Sequence, residues 1–384
     1  MPGLVALAVV SWLLVTPVRA APGEAERATR VLRAEDFRLF RHGEIKTGRP
    51  FAFDVDEQGK LWQGNTGEFW VHDTRTGQAS RVAPPELKGM TLSSVFCFQG
   101  KIVVAHQVAD HITVYDPATR KAATVALPGK KPNVWYGTKA AGKLLLFDRS
   151  DDGGVLVLDS PAGPVRKLAA VVGKFPAGGK MLPDGRVLVG TYPVRTYQFF
   201  DPVREVVTGE IPYPTPDAGL SGVFVHEGLL YAADSAAGRL VVYNLKEQRW
   251  LEPIAVPDYK KVFGFIGGGF QLGSAGYFCL STYAHQSRLD PATGKLIVPP
   301  NADLGVDGRA HHFLDRFLVF DAATRKFSYL VAPAQPDGYP LVCYSHVEGE
   351  KVFITGYVVP LDADGGPGKK AGDWIVWERR GAGR

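Results

Sequence analysis

One motif returns along this chain at a nearly fixed interval, and that return limits the possible folds more than any other feature. A strand-like run ends in an aromatic or aliphatic residue plus Asp or Asn, and a polar turn follows. The copies include Trp70-Val71-His72-Asp73 before TRTGQ, Val114-Tyr115-Asp116 before PATRK and Val157-Leu158-Asp159 before SPAGP. Others are Phe199-Phe200-Asp201, Val242-Tyr243-Asn244, Leu289-Asp290 and Val319-Phe320-Asp321. From Asp73 to Asn244 successive copies lie 42 to 43 residues apart.

Residues 220 to 254 show the grammar of one unit. Ser221 to Val225, a Glu227-Gly228 turn, Leu229 to Ala233, Arg239 to Tyr243 and Arg249 to Ile254 read as four short strands joined by tight turns. The inner hairpin turn repeats as EQGK, FQGK, AAGK, PDGR and VEGE, with Gly where a tight hairpin needs positive φ. Four strands in about forty residues make one blade, so the chain reads as an all-β β-propeller over residues 36 to 380.

The interval from Asp290 to Asp321 is short and that from Asp321 to Trp377 long. We read Ala284 to Arg316 as an insertion in blade six with its own hairpin, and Phe317 to Phe320 as that blade's third strand. Seven blades result, and eight, one truncated, stays open. A second insertion occupies 360 to 373. The last unit ends on its third strand, Trp374 to Trp377, while Phe37-Arg38-Leu39-Phe40 is an orphan ahead of the first unit. Pairing the orphan onto the last blade closes the ring and removes an exposed edge.

The apolar run Leu4 to Val15, followed by Val18-Arg19-Ala20, reads as a signal peptide over 1 to 20 with a linker over 21 to 35, and implies a secreted or periplasmic protein. No later run is long and apolar enough to span a membrane. The three cysteines, Cys97, Cys279 and Cys343, read as buried thiols, with a Cys279–Cys343 bridge conceivable. A net charge of +5 suits a polyanionic partner, an acidic polysaccharide above all; scattered basic residues argue against nucleic acid. A monomer is expected.

In a propeller the loop between the second and third strands opens on the same face as the blade-joining connection. The second-strand exits carry Asn65, His106, Arg149, Tyr192 with Arg195, Tyr283 with His285, and Tyr357. The connections add Lys130, Lys131 and Lys260, and the blade-six insertion adds Arg309 and His311. His346 ends an inner strand and reads as a channel residue. Such a rim suits β-elimination on a uronate: cations neutralise the carboxylate while a Tyr or His removes the C5 proton and another protonates the leaving oxygen. We assign His106, Tyr192, Arg195, Tyr283 and His285 to catalysis and the others to substrate binding. HExxH, GxSxG, Walker and CxxC patterns are absent. No cofactor is demanded, and a divalent metal, calcium or zinc, stays open.

With its inner Gly-Lys hairpins and the YDPATRK and LDPATGK strand ends, the chain resembles bacterial extracytoplasmic propellers with YVTN, NHL or streptogramin-lyase-like repeats. Val189-Gly190-Thr191-Tyr192-Pro193 before Phe199-Phe200-Asp201 is also similar to propeller polysaccharide lyases. The resemblance implies the propeller and, more loosely, a lyase on an acidic polysaccharide. A non-catalytic glycan- or protein-binding propeller and a metal-dependent lactonase-like or streptogramin-lyase-like enzyme are the alternatives. In the lactonase-type pattern a channel calcium would draw on Asn65, Asp148 and Asp234, although the Glu such propellers place early is missing here.

Overall fold

Each repeat folds as one antiparallel sheet. The computed structural model describes residues 31–379 apart from 45–52, 107–108, 131, 151–152, 169–178, 192–195, 216–219, 235–236, 258–264, 283–287, 290–295, 298–311, 334 and 361–371. Blade one is built from Phe53–Val55, Lys60–Gly64, Phe69–Asp73 and Ala79–Val82, and blade two from Leu92–Phe98, Lys101–His106, His111–Asp116 and Lys121–Ala126. Blade three comprises Val134–Ala140, Lys143–Asp148, Gly154–Leu158 and Arg166–Leu168; blade four Gly179–Met181, Val187–Gly190, Thr196–Asp201 and Val206–Pro212. Blade five runs from Leu220–His226 through Leu229–Asp234 and Arg239–Asn244 to Arg249–Trp250, and blade six uses Phe265–Leu272, Ala275–Thr282, His312–Asp321 and Lys326–Val331.

Blade seven takes Gly338–Glu348, Lys351–Pro360 and Asp373–Arg379 from the end of the chain and its fourth strand, Arg38–Glu44, from the beginning. Leu39 pairs with Trp377 and Phe40 with Val376. The orphan strand is therefore the clasp that its alternation suggested, and the fold is a seven-bladed β-propeller; the eight-bladed alternative is overturned. Between the second and third strands of blade six, Arg288–Leu289 pairs with Leu296–Ile297. The third strand itself is longer than its apolar stretch, because His312 and Phe313 continue the ladder beyond a bulge opposite Cys279 and Ser281. Leu32, placed by sequence in a linker, is 2% exposed, and its N–H donates to the Tyr277 hydroxyl at 2.9 Å.

The recurring Asp has a local cause. In the turn after the third strand its carboxylate accepts amide N–H groups two and three residues on: Asp73 from Arg75 and Thr76, Asp201 from Val203 and Arg204. The residue four positions on then takes positive φ, at Gly77, Arg120, Glu205, Gln248 and Arg325. Asp and Asn are the side chains that close such a turn on their own backbone.

Seven hydrophobic clusters hold the blades, each at one contact between neighbours among the described residues. Blade one meets blade two through Trp62, Phe69, Val95 and Tyr115, and blade seven meets blade one through Trp374, Leu341, Phe53, Leu61 and Trp70. The seventh contact closes the circle. Apolar burial on both faces of every sheet explains the continuous apolar runs of the second strands, such as Leu144 to Phe147.

Candidate functional site

The strand order divides the ring into two mouths. One carries the inner hairpin turns; the other carries the second-to-third-strand loops and the blade-joining connections. At this second mouth the strand exits in five blades are Asn65, His106, Asp148, Thr191 and Asp234, and all are buried, at 0 to 3% exposure. Each makes a hydrogen bond within its own blade. Asn65 Oδ1 accepts the Thr66 N–H at 2.8 Å, His106 Nε2 lies 2.8 Å from Thr113 Oγ1, and Thr191 Oγ1 bonds Thr196. The Asp234 carboxylate takes the Arg239 Nε–H at 3.0 Å. Burial, reinforced by His111, pushes the His106 pKa down to about 4, so that ring is neutral at neutral pH. Among the described residues no group of three His, Cys, Asp or Glu is placed to hold a metal.

Two other assigned residues lie within strands. Tyr357 is not a strand exit: its strand continues to Pro360, and the ring packs at 5% exposure into the cluster between blades seven and one. His346 stands at the hairpin mouth, two residues before Glu348, with Nδ1 3.3 Å from Asp54 Oδ1. Tyr192, Arg195, Tyr283, His285, Lys131, Lys260, Arg309 and His311 lie outside the described residues. Cys97 is a free thiol; burial drives the Cys279 pKa well up, and its Sγ donates to the Val342 carbonyl.

Blade three presents a built surface at the second mouth. Asp148 organises it: Oδ1 accepts the N–H groups of Asn133 and Ser150, each at 2.9 Å, and Oδ2 accepts the Ser150 hydroxyl at 2.8 Å. The Arg149 N–H donates in turn to the Asn133 carbonyl at 2.8 Å, and the Trp135 indole N–H to Asn133 Oδ1. A bulge between Val134 and Tyr136 shifts the register there. The Arg149 guanidinium carbon stands 5.5 Å from the Trp135 ring centre and 6.0 Å from that of Tyr136. Tyr136 is 40% exposed, Lys130 in the connection leading into this blade is exposed, and Arg149 Nε is buried without a hydrogen-bond partner among the described residues. Lys130 and Arg149 were legible as rim cations. Trp135 and Tyr136 were missed because VWYGTKA reads as an ordinary inner strand.

No protein-family model matches the sequence, and no curated protein matches it. Solved structures do match in shape. Virginiamycin B lyase from Staphylococcus aureus aligns over 90% of this chain and 99% of its own, with TM-score 0.54 and 12% identity. A streptogramin B lyase gives 0.56 and 12% over 90% and 99% of the two chains. YCF48 bound to D1 peptide gives 0.60 and 9% over 92% and 97%. The fold is shared. At such identities nothing more than the fold carries across, so activity has to be argued from this chain's own residues.

Proposed function

We propose that this protein binds acidic glycans through the blade-three surface, and that the reaction to seek there is β-elimination at a uronate. The observation that carries the reading is the Arg149 guanidinium beside the Trp135 and Tyr136 rings, with its Nε unpartnered. A guanidinium grips a carboxylate with two parallel hydrogen bonds, and aromatic faces pack against the C–H faces of a sugar ring. Exposed Lys130, in the connection that leads into blade three, would add positive charge.

For elimination, Arg149 with Arg195 would neutralise the carboxylate, while Tyr192, Tyr283 or His285 would move the protons. His106 is left out of this set, because its ring is 3% exposed and bonded to Thr113. Secretion or export to the periplasm, inferred from the first 20 residues, would bring the protein to such polymers.

Incubation with polygalacturonate, alginate, ulvan and glycosaminoglycans tests both parts. Retardation of the protein in gels cast with one of these polymers supports binding, and new ultraviolet absorbance from an unsaturated uronate supports elimination. Binding without absorbance leaves a non-catalytic glycan binder; neither result with any polymer defeats the reading. A second reading, a peptide-binding propeller, is favoured by the likeness to YCF48, a propeller bound to a peptide. It predicts binding that Arg149→Ala does not alter.

A further inference from the structure

The hairpin mouth of the channel holds a polar cluster that the blade-three surface does not use. Inner strands of four consecutive blades contribute to it: His346 from blade seven, Asp54 from one, Cys97 from two and Lys139 from three. Asp54 is 3% exposed. Its carboxylate accepts the Cys97 N–H at 2.8 Å and the Val55 N–H at 2.9 Å, and pairs with the Lys139 ammonium. Lys139 also donates to the Cys97 carbonyl at 3.2 Å, and His346 Nδ1 approaches the other carboxylate oxygen at 3.3 Å. At the opposite mouth, Asp148 bonds Asn133 and Ser150, and Asp234 bonds Arg239, each within one blade. Asp54 takes its cations from two other blades, so this cluster exists only when the ring is complete.

Two of these groups keep an open side. The side chains of Lys139 and His346 are 40% and 22% exposed. An ammonium carries three donors, and Asp54 and the Cys97 carbonyl use two of them. Burial lowers the His346 pKa against the pull of Asp54, so the ring is neutral at neutral pH. With the ring proton on Nδ1, toward the Asp54 oxygen 3.3 Å away, Nε2 is the acceptor nitrogen. The Phe53 and Phe353 rings lie beside it, centred 6.1 and 6.5 Å away. A bare acceptor nitrogen and a spare ammonium donor, both held on one carboxylate, complement a hydroxy acid: the hydroxyl donates to Nε2 and the carboxylate accepts from Lys139.

We infer that Asp54, Lys139 and His346 form a second subsite, at the hairpin mouth, for the hydroxyl and carboxylate of a uronic acid. The inference rests on the reading that this protein takes acidic sugars. Lys139 lies on the same inner strand as Trp135, four residues on, or about 13 Å at the rise of a β-strand. The two carboxylate sites therefore stand at opposite ends of one channel.

Free glucuronate, a single ring, is the probe. Titrated into the wild-type protein, it should move the His346 imidazole resonances and bind saturably, and His346→Phe and Lys139→Gln should each weaken it at least tenfold with the fold checked by circular dichroism. In Arg149→Ala the His346 shift should persist while polymer binding falls. Glucuronate that leaves the His346 resonances unmoved in the wild-type protein overturns the subsite, whatever the variants do. Polymer binding that fails while the His346 shift is present removes only the blade-three reading.

Discussion

His42 and His72 show how a pair of side chains can tie ring closure to pH. His42 sits on the clasp and His72 on blade one, with His42 Nε2 3.0 Å from His72 Nδ1 and His72 Nε2 3.8 Å from the Glu378 carboxylate. His72 is fully buried and Phe40 and Trp374 pack round the pair. Burial, then the neighbouring His72, pushes the His42 pKa down from 6.5 to about 4. The folded value lies below the unfolded one, so folding favours the neutral ring. The contribution is complete above about pH 6.5 and is lost as pH falls toward 4. Discounted for solvent screening of this part-exposed ring, it amounts to about 2–3 kcal/mol. Denaturant midpoints measured across that interval should fall for the wild-type protein and fall less for His42→Phe; equal slopes would contradict the assignment. At the blade-three surface, Arg149→Ala should weaken polyuronate binding at least tenfold, about 1.4 kcal/mol, without moving the melting temperature. Arg149→Lys should not restore it, since a point charge lacks the planar fork. Affinity electrophoresis reads both.

Among the elements, the clasp depends on one turn as much as on its own ladder. Gly77, in the turn after blade one's third strand, has φ +74°, and a Cβ there would stand 2.3 Å from the Phe40 ring. The turn needs left-handed backbone and the clasp needs the space. Gly77→Ala should therefore cost about 2–3 kcal/mol, more than the backbone effect alone. A denaturation midpoint unchanged from wild type would show that Phe40 is not seated there. The repeating Asp was readable from sequence because its work is local, within four residues of itself. The rim was less readable. Asn65, His106 and Asp234 follow apolar strands and look like exposed loop polar residues, yet each turns inward to satisfy a polar group of its own blade. Trp135 and Tyr136 carried the opposite disguise: aromatic residues in a strand run, brought to the mouth by a bulge that no local pattern announces.

At the scale of the whole molecule the seven interfaces form a closed set, and removing the clasp opens the one between blades seven and one. A chain that begins at residue 53 should lose stability and gain concentration-dependent association, because Asp373–Arg379 becomes a free edge. Light scattering and thermal melts check this, and an unchanged monomer would contradict the clasp's role. Closure also explains what sequence reading could not reach. Asp54, Lys139 and His346 are separated by long stretches of chain, and only the completed circle brings them to one carboxylate. The blade-three surface remains the centre of the functional account. A crystal structure of the protein with a bound oligouronate tests it most directly: a sugar carboxylate within hydrogen-bond distance of the Arg149 guanidinium, its ring against Trp135 or Tyr136, is the expected result, and an occupied ligand that touches none of the three contradicts the account.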